Sequence, residues 1–144
     1  DIFFPIALIS VITHFIGGWI SDRAPLKYLL MLQVLALGIG SMALLEFQNI
    51  WCQYIVIFCY GIQGGLWAVL SIVTWPRFFG RAHLGAIAGL VVGCQVFASA
   101  IGPAVFGASQ SWFGNYNAAA WIAGILNLIL FIGATRAKVY YKKK

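Results

Sequence analysis

Five long stretches of this chain contain no aspartate, glutamate, lysine or arginine. They cover roughly residues 2–20, 28–45, 54–74, 84–106 and 118–134. A helix needs about 20 predominantly apolar residues to cross the hydrocarbon core of a bilayer. A transmembrane barrel would instead show shorter segments of alternating polarity, and the sequence lacks them. The pattern predicts an all-α membrane protein with five transmembrane helices in a single transmembrane domain.

The composition argues against an ordinary soluble domain. Apolar residue types make up 62% of the 144 residues and charged types 8%, whereas charged residues are about 25% of a typical soluble domain. A small globule leaves too much of its surface in water to hide so much hydrocarbon. Nucleic-acid binding is not favoured despite the formal charge of +6, because the basic residues are dispersed over short connections.

The basic residues all lie on one side of the predicted five-helix arrangement. All nine fall in segments 21–27 and 75–83 and in the tail, 135–144, whereas segments 46–53 and 107–117 contain no lysine or arginine. Cytoplasmic segments of membrane proteins carry the excess of these residues. We therefore expect an integral protein of the plasma membrane (the inner membrane in a bacterium), with a cytoplasmic basic tail.

The connection between the first two predicted helices holds the densest group of charges. Residues 17–27 read GGWISDRAPLK, and Asp22 is the only acid on a side with nine bases. We expect its carboxylate to meet either a guanidinium or the positive N-terminal end of the fourth helix, near Leu84. An anion at a helix N-terminus gains about 0.3–2 kcal/mol, which is enough to bias two conformations. A solvated connection without a mechanical role is the alternative.

This connection resembles the signature loop of the major facilitator superfamily. The residues that match are Gly18, Asp22, Arg23 and Lys27. Pro25 stands where the family has a second glycine, and Leu26 stands where it has a further base. This imperfect form resembles the copy between the family's eighth and ninth spans. The resemblance favours a conformational latch, for which the candidates are Gly18, Asp22, Arg23, Lys27, Arg77 and Arg81.

Two further segments are similar to elements of the same family. Residues 77–89, RFFGRAHLGAIAG, resemble the basic loop that enters the eleventh span, especially in oxalate/formate-antiporter-like and other organic-anion carriers. Residues 102–107, GPAVFG, resemble the Gly-Pro-x-x-x-Gly element of the antiporter-type fifth span, the counterpart of the eleventh. The resemblance covers essentially the whole chain. It implies spans eight to twelve, the C-terminal portion of a carrier, and hence five helices of a six-helix half-bundle.

Small residues recur in the fourth predicted helix. The residues concerned are Gly85, Gly89 and Gly93, followed by Gly102, Pro103 and Gly107. The first three repeat every four residues, so they share one helix face and predict close packing against another helix. The last three lie near the outer end, where proline removes a backbone hydrogen bond and predicts a static kink or a moving hinge.

Uncharged polar side chains within the spans are the candidates for a substrate pathway. They are His14, Gln63, Trp67 and Gln95. Polar groups are costly in hydrocarbon and usually face a bundle interior or a cavity. His14 can bind an anion or carry a proton, because imidazole titrates near physiological pH; a neutral interhelical hydrogen bond is the alternative. Asn127 is interpreted as an interhelical hydrogen-bonding residue.

We therefore predict a secondary transporter of a small solute, an organic anion, that works by alternating access. The family resemblance implies two six-span halves that rock around a central site. The expected partners are the bilayer, the missing N-terminal half, the solute, and a proton or a counter-anion as the coupling ion.

The alternatives come from other classes of membrane protein. A small five-span enzyme or a subunit of a membrane complex would need a polar or acidic cluster at one interface, and a channel would need a filter-like motif or a charged ring. None is visible in the sequence. The two histidines lie at different levels and the acids at the membrane edges, so no catalytic set is predicted. We expect no enzyme activity, no cofactor and no metal site.

Overall fold

The computed structural model describes residues 2–80 and 83–136. Within these ranges the chain forms α1 (Phe3–Ser21), α2 (Leu26–Ala43), α3 (Ile50–Phe79), α4 (Leu84–Phe113) and α5 (Asn117–Arg136). A short 3-10 turn, Leu44–Glu46, continues α2. All five helices are long enough and apolar enough to cross a membrane, and the described residues form no strand. The predicted all-α membrane fold is confirmed.

The third helix is longer than its predicted span. It has 30 residues, which at about 1.5 Å per residue makes it about 45 Å long, against a hydrocarbon core of about 30 Å. It continues through Pro76 and ends at Gly80, whose φ of 73° lies in the left-handed region that glycine adopts easily. Arg77 therefore lies on the last turn of α3, and its expected place in a connecting loop was wrong.

The fourth helix also exceeds its predicted span, and again has 30 residues. Pro103 lies inside it, and the helix continues to Phe113 and ends at Gly114, whose φ is 68°. A single proline removes one hydrogen bond from the ladder, but the bonds on either side persist. The prediction that 107–113 belong to an outer connection was wrong, since only 114–116 separate α4 from α5.

The second helix begins slightly earlier than predicted. Pro25 occupies its N-cap position and Leu26 is its first residue, because proline disfavours helical backbone in the residue before it and suits the start of a helix. Lys27 consequently lies in the first turn of α2 rather than in the connection.

The core lies around α3. This helix packs against α1 and against α2, and α2 packs in turn against α5, whereas α4 has few contacts with α3 and α5. Four buried leucines join α2 to the C-terminal half of α3: Leu26, Leu29, Leu66 and Leu70. The end of α3 is thereby held beside the connection between α1 and α2.

Glycines bring α1 and α3 into close backbone contact. A Cβ atom added at Gly65 would lie 2.5 Å from the carbonyl oxygen of Ser10 and 2.9 Å from the backbone nitrogen of His14. One added at Gly61 would lie 2.6 Å from the Cβ of Ile9. Real Cβ atoms do not approach so closely, so these two positions require glycine.

The glycine face of α4 behaves differently. A Cβ atom added at Gly85, Gly89 or Gly93 would meet no atom within 4 Å in the described structure. In α4 only Ser109 is buried. The close packing predicted for this face is thus not made by the described residues.

Candidate latch and substrate path

Asp22 and Arg77 form an ion pair where α1 and α3 end. Asp22 is the C-cap residue of α1 and Arg77 lies in the last turn of α3. The Nη2 atom of Arg77 lies 2.9 Å from Oδ1 of Asp22 and donates a hydrogen bond to it. The C-terminal ends of α1 and α3 therefore lie on the same side of the helices.

Arg77 also binds the backbone of α1. Its Nη1 atom donates a hydrogen bond to the carbonyl oxygen of Ser21, one of the last carbonyls of α1, which have no partner inside the helix. The Ser21 side chain is buried, and its hydroxyl donates to the carbonyl oxygen of Gly18 at 2.8 Å. One guanidinium on α3 thus binds both the Asp22 side chain and the C-terminal end of the α1 backbone.

The ion pair is accessible to water. The side chain of Arg77 is 31% exposed and that of Asp22 is 77% exposed. Exposed pairs contribute about 0.2–1 kcal/mol, because water and salt screen the charges. A contact of this strength can favour one conformation by up to about fivefold, and it breaks readily.

The other predicted latch residues have different positions. The Arg23 side chain does not join the pair; its Cζ atom lies 4.0 Å from the centre of the Trp19 ring. Gly18 contributes its carbonyl oxygen, and a Cβ atom at this position would meet nothing within 4 Å. Arg81 lies outside the described residues.

The substrate-path candidates lie on three helices. His14 is exposed on α1, Gln63 is half-buried and Trp67 is 40% exposed on α3, and Gln95 is exposed on α4. The contact at Gly65 places His14 at the level of Gln63 and Trp67. No hydrogen bond joins the four candidate side chains in the described residues.

Three cavities on the described surface lie away from these candidates. One lies between α2 and α5, another between α4 and α5, and a third beside the first half of α3, near Ile9 and Ile39. All three are lined almost entirely by apolar side chains and contain none of the four candidates. They are apolar grooves between neighbouring helices.

A comparison with known families supplies the class of the protein. The family model described as Major Facilitator Superfamily matches residues 3–143. The chain belongs to the major facilitator superfamily. No curated protein and no solved structure matches it significantly. Major facilitator proteins are transporters rather than enzymes, and this one is an integral membrane protein with a transmembrane transport function.

Two residues of this major facilitator chain escaped the sequence prediction. Ser21 supplies the carbonyl oxygen that Arg77 binds, and Trp19 supplies the ring under Arg23. The Ser21 carbonyl belongs to the backbone, so the identity of its side chain could not predict this bond. Trp19 did carry a signal, since it precedes Arg23 by four residues, the spacing of neighbours on a helix surface.

The described residues hold no group of three or more histidine, cysteine, aspartate or glutamate side chains arranged to bind a metal ion. In the part of the chain that the structure describes, the polar features are one ion pair at the ends of α1 and α3, the contact of Arg23 with Trp19, and uncharged polar side chains within the spans.

Proposed function

We propose that this chain is part of a secondary carrier for a small organic anion that works by alternating access, with the Asp22–Arg77 pair stabilising one end state. The observation that carries the proposal is the ion pair itself, which joins the ends of two spans in a major facilitator protein. Its exposure and small energy suit a contact that forms and breaks in each cycle.

The proposed carrier includes further helices that complete the half-bundle and supply the N-terminal half. The exposed length of α4 supports this part of the proposal, since of its 30 residues only Ser109 is buried. In a carrier of this family the second half faces the first across a central site.

The organic-anion assignment rests on charge and on the residues within the spans. The chain carries nine bases and three acids, so its field attracts anions. His14, Gln63 and Trp67, at one level of the α1–α3 pair, provide hydrogen-bond donors without a carboxylate that would repel an anion. The proposed coupling ion is a proton or a counter-anion.

The segregation of bases supports a plasma-membrane protein whose C-terminal tail is cytoplasmic, in accordance with the positive-inside rule. The proposed latch then lies at the cytoplasmic surface, where it stabilises one of the two end states.

Counterflow of labelled carboxylates tests the substrate class. Full-length protein is reconstituted into vesicles preloaded with unlabelled oxalate or formate, and entry of the labelled anion is followed. We expect accumulation above that of protein-free vesicles, and at least a tenfold lower rate for Gln63→Leu. Ile129→Leu, on the exposed surface of α5, is the matched control and should retain the wild-type rate. No accumulation of any carboxylate would remove the organic-anion class and leave the family assignment intact.

A further inference from the structure

Trp19 and Arg23 form a second arrangement at the end of α1. The Cζ atom of Arg23 lies 4.0 Å from the centre of the indole ring, which holds the guanidinium in place by a cation–π interaction. The neighbouring carboxylate, that of Asp22, bonds to Arg77 instead. Within the described residues no acid and no other acceptor bonds to the Arg23 side chain. Its donors are therefore positioned and available.

An apolar face of α1 leads up to this pair. Its members are Phe4, Leu8, Val11, Phe15 and Trp19, which are between 54% and 76% exposed. Another face of α1 packs on α3. The spacing of four and three residues places them in one row. From first to last the row is about 22 Å long at about 1.5 Å per residue, which exceeds the apolar depth of one leaflet, about 15 Å.

The order along α1 matches the order of groups in a phospholipid. The apolar row comes first, the indole follows at the position where tryptophan meets headgroups, and the guanidinium comes last. A guanidinium binds phosphate oxygens through two parallel hydrogen bonds. We propose that this surface, Trp19, Arg23 and the apolar row, is a binding site for one anionic phospholipid, with acyl chains along Phe15 and Leu8 and the phosphate on Arg23.

Charge complementarity selects a lipid over a helix of another protein as the occupant. The guanidinium lies at the bilayer edge beside an acid that is already paired. A protein partner would have to place a second carboxylate at that level, whereas every anionic phospholipid of that leaflet brings its phosphate there. The site lies on a face of α1 that does not pack on α3, and the proposal requires the helices that complete the half-bundle to leave this face to lipid.

Lipid binding to the full-length protein tests the proposal. Fluorescent phosphatidylglycerol and phosphatidylcholine with identical acyl chains are titrated into the purified protein in detergent micelles. We expect about fivefold tighter binding of phosphatidylglycerol, the factor given by one basic residue at an anionic surface. Arg23→Gln should abolish the preference, and Trp19→Leu should at least halve it. Arg136→Gln removes an equal charge from the exposed end of α5 and should preserve it.

Several results would overturn the site. They are equal binding of both lipids to the wild type, an unchanged preference in Arg23→Gln, and an equal loss in Arg136→Gln, which would indicate bulk charge. Displacement of the lipid by millimolar inorganic phosphate would identify a soluble anion as the occupant, and protection of this face by another helix in crosslinking would identify a protein. If Arg23→Gln does not fold, Arg23→Lys keeps the charge but not the planar fork. It should at least halve the preference, and a wild-type preference would contradict the proposal.

Discussion

Arg77 satisfies two acceptors of different kinds, a carboxylate and a helix-terminal carbonyl, and both belong to α1. The bond to the Ser21 carbonyl ties the position of the guanidinium to the end of α1, and the bond to Asp22 requires that this carboxyl group be ionised. A lysine could supply the charge, but it lacks the planar fork that reaches both acceptors. The pair is therefore sensitive to geometry as well as to ionisation.

A double-mutant cycle on Asp22 and Arg77 measures the latch. Asp22→Asn and Arg77→Gln should each change the inward-to-outward balance by up to about fivefold, with a coupling energy of at most about 1 kcal/mol, because both side chains are partly hydrated. The measurements are the exchange rate in vesicles and the accessibility of an introduced cysteine. Glu46→Gln, which removes an exposed acid at the other end of α2, is the control. If exchange and accessibility are unchanged in both variants, the pair is not a latch.

Asn127 and Gly38 give a second test at this scale. The Nδ2 atom of Asn127 donates to the carbonyl oxygen of Val34 at 3.1 Å, and its side chain fills the space beside Gly38. Asn127→Ala should cost about 0.6 kcal/mol, an average value for such bonds in membranes. Gly38→Ala should cost about 1–3 kcal/mol by overpacking. The double variant should unfold in detergent like Asn127→Ala alone; additive losses would show that the two positions do not share one space.

The sequence predicted only part of these residue contacts. The need of Asp22 for a positive partner follows from its being the sole acid among nine bases. The choice of Arg77 does not, because the two lie 55 residues apart and only tertiary packing brings them together. Asn127 was interpreted as an interhelical hydrogen-bonding residue, and its bond to Val34 confirms that interpretation.

The helices themselves differ in how they are held. α3 presents glycines to α1 and leucines to α2, so it contacts both neighbours closely. α4 presents its glycines to no described atom. Both helices carry regularly spaced glycines, and this spacing does not reveal which glycine face packs against another helix.

The apolar runs predicted the five helices because each segment that crosses a bilayer must itself be apolar. The ends of α3 and α4 escaped prediction because helix can extend beyond the bilayer.

Gly65→Ala tests the seam between α1 and α3. The added methyl group would meet backbone atoms of Ser10 and His14, which cannot move aside independently. We expect a loss of about 1–3 kcal/mol, measured by unfolding in detergent. Gly133→Ala is the control, because a Cβ atom there meets nothing within 4 Å, and it should be neutral or slightly stabilising. Equal stability of the two variants would mean that the seam is not closely packed.

At the scale of the whole molecule, the described helices contact one another in the order α1 to α3 to α2 to α5, and α4 makes few contacts with them. At its C-terminal end α4 is tied to α5 by Ser109, whose hydroxyl donates to the carbonyl oxygen of Asn115 at 2.9 Å and accepts from the backbone N–H of Ala119 at 3.3 Å. The family and the number of spans were accessible from sequence, since both depend on local patterns. The order of contacts was not, because all five helices are apolar on most faces.

Labelling of single cysteines tests the threading. Asn49→Cys and Asn115→Cys lie at the connections on one side of the helices, and Arg136→Cys lies at the end of α5 on the other. We expect an impermeant thiol reagent to reach the first two from outside intact cells and the third only after permeabilisation. Cys52, Cys59 and Cys94 are replaced beforehand so that they do not contribute. Reaction of positions 115 and 136 from the same side would contradict the five-span topology.

The glycine seam has a mechanical consequence for transport. Backbones that touch at Gly61 and Gly65 leave no room for one helix to glide along the other, and the guanidinium of Arg77 secures the same two helices at their ends. α1 and α3 can therefore pivot about this contact but cannot slide, so their ends separate when the proposed latch opens. We expect the separation between His14 and Gln63 to stay nearly constant through the proposed cycle, because both lie beside this contact, and the distance from either to Gln95 on α4 to change.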